Sequence, residues 1–386
     1  MSFAGELAAL RTAGLLRRRR VAGSPCGPET VIDDRPVLSF ASNDYLGLAG
    51  DPRLADALAE GARRWGAGAG ASHFLGGHSE PHRQVEERLA AFVGAERALL
   101  FPTGYMANIG IVPALAGRGD VIFADKLNHA SLIDAVRLSG AFGHRYPHLD
   151  LGVLEGQLAA NRGKRRLILT DAVFSMDGDI APLPELLALA ERHDTWLVAD
   201  DAHGFGLLGA QGRGTAAHFG LAPAGRLLVM GTLGKAAGVA GAFVAGDGDV
   251  IEWLTQKART AIFTTAAPPA LSCALLASLD ILAAADDRRA HLRSLIARLR
   301  TGLEPLAARQ GWRTPGSGTA IQPVIIGGNE AALKVADALL ERGIWAPAIR
   351  PPTVPEGTAR LRISLSAAHG EAQVDRLLAA LAEVAP

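Results

Sequence analysis

Apolar residues recur along this chain in two registers, and the register changes about three quarters of the way through. Short β-type runs come first: ALLFP (98–102), DVIFAD (120–125), RLILTDAVFS (166–175), WLVADDAH (196–203), LLVMGTLGK (227–235) and GAFVAG (241–246). Helical patterns such as LPELLALAERH (183–193) lie between several of them. Apolar runs alternating with helices predict an α/β domain with a mostly parallel sheet, and such sheets gather ligands at the carboxyl ends of their strands. Upstream, residues 4–20 predict an amphipathic helix ending in the run Arg17–Arg20. RPVLSFASNDYLGL (35–48) predicts a short strand and a turn, and residues 52–64 and 81–93 predict two further helices around the glycine-rich GAGAGASHFLGG (66–77). Beyond about residue 275 the pattern becomes long Ala/Leu/Arg helices with two strand-like runs, AIQPVIIGG (320–328) and ARLRISLS (359–366). The expected organisation is an N-terminal helix and strand segment (1–45), a large α/β domain (46–275) and a smaller α+β domain (276–386).

Composition narrows the functional classes. The 386 residues carry 39 basic and 39 acidic side chains and are 49% hydrophobic, so net charge argues for neither nucleic acid nor a membrane surface. Cys26 and Cys273 are too few for a disulfide framework and lack metal-ligand spacing. With no signal-peptide pattern and no apolar run long enough for a membrane span, the expectation is a soluble cytoplasmic protein.

The candidate chemistry starts at MGTLGKAAGVAGAF (230–243), where Lys235 is the single charge among small apolar residues. A structural lysine keeps its head in water; one held in a small-residue pocket can shed its proton and condense with an aldehyde. In WLVADDAH an apolar strand ends at Asp200, with His203 three residues further on. That pair suits a carboxylate and ring nitrogen in partnership, a metal, or a capped turn, and the metal reading lacks further ligands. Gly104 and Tyr105 fall where a strand gives way to a helix, a place that favours an anion. His129, beside Asn128 and Ser131, stands at a helix start. Together these parts suit pyridoxal phosphate: Lys235 as the Schiff-base lysine, Asp200 as partner of the pyridinium nitrogen, and Gly104, Tyr105 and Thr232 as phosphate partners. His78 and His82, four apart, suit either a helix start or a shared metal face, and the helix start is favoured.

At these residues the chain resembles the α-oxoamine synthases, a family of aspartate-aminotransferase-like, fold type I pyridoxal-phosphate enzymes. The resemblance runs through SFASNDYLGL, FSMDGDIAPL, DDAHGFGLLGAQGRG, GTLGKAAGVAGA and AIRPPTVPEGTARLRISLSAAH. It implies catalytic roles for Lys235, Asp200, His129 and His203, with His129 stacked on the cofactor ring and His203 and Ser175 at its 3′-oxygen. It also implies that Thr264 or Thr265, in FTTAAPP (263–269), reaches the phosphate of a partner subunit in a homodimer with shared sites. Asn43 and Arg362 would bind the amino-acid carboxylate, and Arg17 and Thr353 match positions that contact substrate. The implied activity is a decarboxylating condensation of L-alanine with pimeloyl-CoA or pimeloyl-acyl carrier protein in biotin biosynthesis, with no nucleic acid, membrane or metal involved. The alternative is a sister condensation such as that of glycine C-acetyltransferase. Departures from the family pattern at Asp201, Phe205 and Ser72–Phe74 leave acyl-chain specificity open. A DNA-binding regulator would need an added basic module, and a nicotinamide enzyme a glycine-rich loop after the first strand.

Overall fold

The structure, a computed structural model, describes residues 3–384. It divides into two compact units, Leu48–Ser175 with Ile180–Asp286, and Met1–Gly47 with Met176–Asp179 and Asp287–Pro386.

The larger unit is built on a seven-stranded sheet. In spatial order its strands are Arg97–Phe101, Ala242–Gly246, Leu227–Thr232, Trp196–Asp200, Arg166–Asp171, Val121–Asp125 and Phe142–Tyr146. The pairings made by Ala242–Gly246 are antiparallel, and those from Leu227–Thr232 out to Phe142–Tyr146 are parallel. Successive side chains of a strand point to opposite faces, and here both faces are covered. Ile122, Leu167, Leu169, Val198 and Leu228 pack with Ile111, Leu115, Leu132 and Leu254, from the helices Gly104–Leu115, Ala130–Ser139 and Gly248–Lys257. Val121, Phe123, Ile168, Leu197 and Val229 pack on the other side with Leu154, Leu158, Leu186 and Leu189, from Leu151–Ala160 and Leu183–Arg192. Each such leucine contributes roughly 1.5–3 kcal/mol by burial. That is why the central strands read as continuous apolar runs. Phe142–Tyr146 is the strand the sequence pattern hides: FGHRY is polar because it lies at the sheet edge, with Phe142 exposed.

The smaller unit has two three-stranded sheets. One joins Glu29–Ile32, Arg35–Ser39 and Ile344–Trp345; the other joins Ile321–Gly327, Ala359–Ser364 and Ala348–Ile349. Asp33 and Asp34 both have positive φ (48° and 62°), the backbone of a tight two-residue hairpin turn. The helices Asn329–Glu341 and Glu371–Glu383, with most of Asp286–Gln310, complete it.

Two expectations need correction. The N-terminal helix spans Phe3–Thr12 rather than 4–20 and buries none of its residues. Gly14, at φ 64°, turns the chain after it, and the arginine run is irregular and exposed, with Arg18 and Arg20 paired to Asp33. Four adjacent guanidinium groups repel one another in a helix and gain from an opposite charge outside it. The expected boundary at 275/276 falls inside the helix Pro269–Ala283, and the larger unit continues to Asp286. Among the described residues no single helix is long and apolar enough to cross a membrane.

Candidate active site

The carboxyl ends of the parallel strands carry Asp125, Asp171, Asp200 and Thr232. Around them lies a cavity of about 190 Å³ lined by Gly104, Tyr105, His129, Ser131, Asp171, Ser175, Asp200, Ala202, His203, Met230, Thr232 and Lys235. Of the residues expected from sequence, Lys235, Asp200, His129, His203, Gly104, Tyr105, Ser175 and Thr232 therefore come together in one unit.

Lys235 stands on the loop between the antiparallel strands Leu227–Thr232 and Ala242–Gly246. Backbone bonds close that loop: Leu233 N to Gly241 O (2.9 Å), Val239 N to Leu233 O (3.0 Å) and Gly238 N to Lys235 O (2.9 Å). Gly238 has φ +71°, and a Cβ there would lie 2.6 Å from the Leu48 carbonyl carbon, so glycine is required by both conformation and space. The half-buried Lys235 carries Nζ 2.8 Å from His203 Nε2.

Asp200 ends its strand 5% exposed. Its Oδ1 accepts from Ala202 N (3.0 Å) and its Oδ2 from Asn108 Nδ2 (2.7 Å). Asp171, on the neighbouring strand, accepts from His129 N (3.0 Å). Burial first, then the Asp200 charge, pushes the Asp171 carboxyl well above the usual carboxylate range. His129 caps the helix Ala130–Ser139 with Nδ1 accepting from Ser131 N (3.2 Å). The surrounding protein lowers its pKa, Asp200 and Asp134 act to raise it, and Lys235 lowers it further.

The phosphate end rests on helix geometry. Thr103 caps Gly104–Leu115 by accepting from Met106 N (3.1 Å), which leaves the Gly104 and Tyr105 N–H groups ahead of the first intrahelical bond. The Thr232 hydroxyl, across the cavity, donates to Gly241 O (3.2 Å), a long bond whose hydrogen can rotate to an anion's oxygen instead. The Tyr105 hydroxyl donates to Asp134, an interaction that raises its pKa. Beside the cavity, Asp201 is fully buried and accepts from Thr215 N (2.7 Å) and from the Thr215 hydroxyl. Burial pushes its carboxyl up to about 7 despite those bonds. A folded-state value above the unfolded one gives stability that is complete below about pH 4 and lost as pH rises through about 7. Asp201→Asn is therefore expected to lessen the fall in melting temperature between pH 5 and pH 8, read by thermal denaturation across buffers.

Other expected residues lie elsewhere. Thr265 is exposed, bridges Ser72 and does not line this cavity. In the smaller unit, Arg362 is 6% exposed and its guanidinium is fixed by Asn43 Oδ1 (3.1 Å), Ser364 Oγ (2.7 Å) and Tyr45 Oη (3.3 Å). Arg17 and Thr353 are exposed in that unit. His82 uses both ring nitrogens, Nδ1 accepting from Ser79 N (3.1 Å) and Nε2 facing Ala267 O (2.9 Å), so it serves a helix start rather than a metal. Asn108, Ser131 and Asp171 were missed. A buried asparagine within the apolar helix GYMANIGIVPAL is the one sequence signal that pointed to them.

These donors fit pyridoxal phosphate. An amine, a buried carboxylate with both oxygens fixed, a planar ring and a helix N-terminus match its aldehyde, ring nitrogen, ring face and phosphate. The comparisons agree. Residues 35–381 match the model of the aminotransferase class I and II family. The 8-amino-7-oxononanoate synthases of Herminiimonas arsenicoxydans and Azoarcus sp. are 64% and 63% identical. The first alignment covers 97% of each chain; the second covers 96% of this chain and 94% of the relative. Among solved structures, a serine palmitoyltransferase from S. paucimobilis with a bound adduct of pyridoxal phosphate and myriocin has TM-score 0.92 at 31% identity, covering 99% of this chain and 96% of its own. The 8-amino-7-oxononanoate synthase of Francisella tularensis has TM-score 0.77 at 32% identity, covering 90% and 97%.

Proposed function

Because the chain belongs to the aminotransferase class I and II family and, within it, to the 8-amino-7-oxononanoate synthases, we propose an assignment of its residues to that reaction. Its fold is the aspartate-aminotransferase-like, fold type I arrangement, and its cofactor is pyridoxal phosphate. The reaction is the decarboxylating condensation of L-alanine with a pimeloyl thioester to 8-amino-7-oxononanoate, in biotin biosynthesis.

When bound, the cofactor supplies an electron sink for charge that develops at the α-carbon of alanine. Lys235 Nζ is the base that takes the α-proton and later returns one, and the observation that carries this role is its position in the cavity, 2.8 Å from His203 Nε2. His203 accepts a hydrogen bond from that amine and orients it. Asp200 holds the proton on the ring nitrogen, which its two fixed oxygens suit. Gly104, Tyr105 and Thr232 bind the phosphate, Ser175 reaches the 3′-oxygen, and His129 lies on the ring face. Arg362, already fixed by Asn43, takes the alanine carboxylate in a bidentate pair. Thr265 serves the phosphate of a second subunit, which makes the working form a homodimer. Arg17 and Thr353 contact the acyl donor, and the location is cytoplasmic.

Thiol release by the purified, pyridoxal-phosphate-loaded protein tests the assignment. Release with L-alanine and pimeloyl-CoA, or with alanine and the pimeloyl carrier protein, is expected. Release only with glycine and acetyl-CoA would move the chain to a sister condensation. No release with any pair would overturn the assigned roles.

A further inference from the structure

At the floor of the cavity, four side chains from three elements form an unbroken hydrogen-bonded chain. Asn108, fully buried on the helix Gly104–Leu115, donates from Nδ2 to Asp200 Oδ2 (2.7 Å) and to Ser131 Oγ (2.8 Å). Ser131, 1% exposed, has its Oγ 2.7 Å from His129 Nδ1. Each proton in this chain can be assigned. Asn108 Nδ2 has two hydrogens and uses both. An amide turned the other way would face its oxygen toward the Asp200 carboxylate, acceptor against acceptor, so the orientation follows from chemistry. Ser131 Oγ, already accepting from Asn108, has one hydrogen left, and it goes to His129 Nδ1. That nitrogen also accepts from Ser131 N (3.2 Å). With two donors aimed at it, Nδ1 carries no proton, and a neutral ring keeps its proton on Nε2.

We propose that Asn108 and Ser131 are positioning residues that tie Asp200 to His129, holding the first as a pure acceptor and the second as the neutral Nε2–H tautomer. The proposal rests on the pyridoxal-phosphate reading of the cavity, and it explains what the tie is for. Asp200 keeps the cofactor ring cationic, and a protonated imidazole lying on a cationic ring would be repelled by it. One relay therefore secures the charged partner below and the uncharged partner on the face. The groups around His129 are the carboxylates Asp200 and Asp134, which favour its protonation, and Lys235, which opposes it. Ser131 settles which nitrogen is available.

The test is nitrogen-15 NMR of histidine-labelled full-length protein, with and without pyridoxal phosphate, together with the affinity for the cofactor by absorbance titration. The native chain is expected to show His129 unprotonated at Nδ1 and protonated at Nε2 in both states. Ser131→Ala, which leaves Nδ1 only the longer backbone bond from residue 131, is expected to admit some of the Nδ1–H tautomer, raise the pH at which His129 titrates and weaken cofactor binding ~10-fold, the loss of one good hydrogen bond. Ser131→Thr, which keeps the hydroxyl, should restore both. A proton on Nδ1 of the native chain, or an unchanged tautomer and affinity in Ser131→Ala, would overturn the relay. If the native chain takes up no pyridoxal phosphate, the cofactor reading fails instead, and the tautomer in the cofactor-free chain still decides the relay.

Discussion

Lys235→Ala is expected to abolish condensation, lowering kcat by more than ~10⁴-fold, because one group serves as both cofactor anchor and proton carrier. Nothing in the cavity replaces it. The other basic nitrogens there belong to His203, which lies 2.8 Å from the lost amine, and His129, whose Nδ1 is occupied by Ser131. The fold should survive, since backbone bonds from Leu233, Gly238 and Val239 hold the loop. Thiol release with alanine and pimeloyl-CoA measures the loss, and borohydride trapping of cofactor on the protein should disappear with it. A variant with near-normal turnover would refute the role.

Asp200→Asn should be the next most damaging change, with kcat reduced ~10²–10⁴-fold while the protein still binds cofactor. Asparagine keeps the shape of the side chain, so packing against the strand end is preserved. What disappears is the negative charge that keeps the ring nitrogen protonated. The amide must also meet Asn108 Nδ2 and Ala202 N, two donors that now find a single oxygen. Steady-state kinetics beside the absorbance spectrum of the bound cofactor separates lost electronics from lost binding. Unaltered kcat would show that the carboxylate does not face the ring nitrogen.

The residues that a strand-end reading can reach are the ones the sequence revealed. Asp200, Thr232 and Lys235 follow apolar runs directly, because in a parallel sheet the end of a buried strand is also the floor of the site. Gly104 and Tyr105 were legible for the same reason, at a strand-to-helix turn. Asn108 and Ser131 were not, because Asn108 reaches partners 92 and 23 residues distant, and a lone asparagine in an apolar helix does not say what it meets. The smaller unit shows the same limit. The strand Arg35–Ser39 pairs with Ile344–Trp345, so the first and last parts of the chain form one sheet that no linear division at residue 45 anticipates. The N-terminal helix was overextended because an arginine run fits a helical wheel, while Gly14 and Asp33 draw those residues away from one.

The closed loop under Lys235 has a kinetic consequence. Its backbone is closed on itself between two paired strands, so the Cα keeps its place whatever the amine does. Only the flexible four-carbon arm swings, and the displaced group stays within a few bonds of the place it left. A tethered amine of this kind does not dilute into solvent, so its return is an intramolecular step. Lys235 Nζ would therefore remain beside the cavity throughout turnover, in reach as a base and as the anchor of the cofactor.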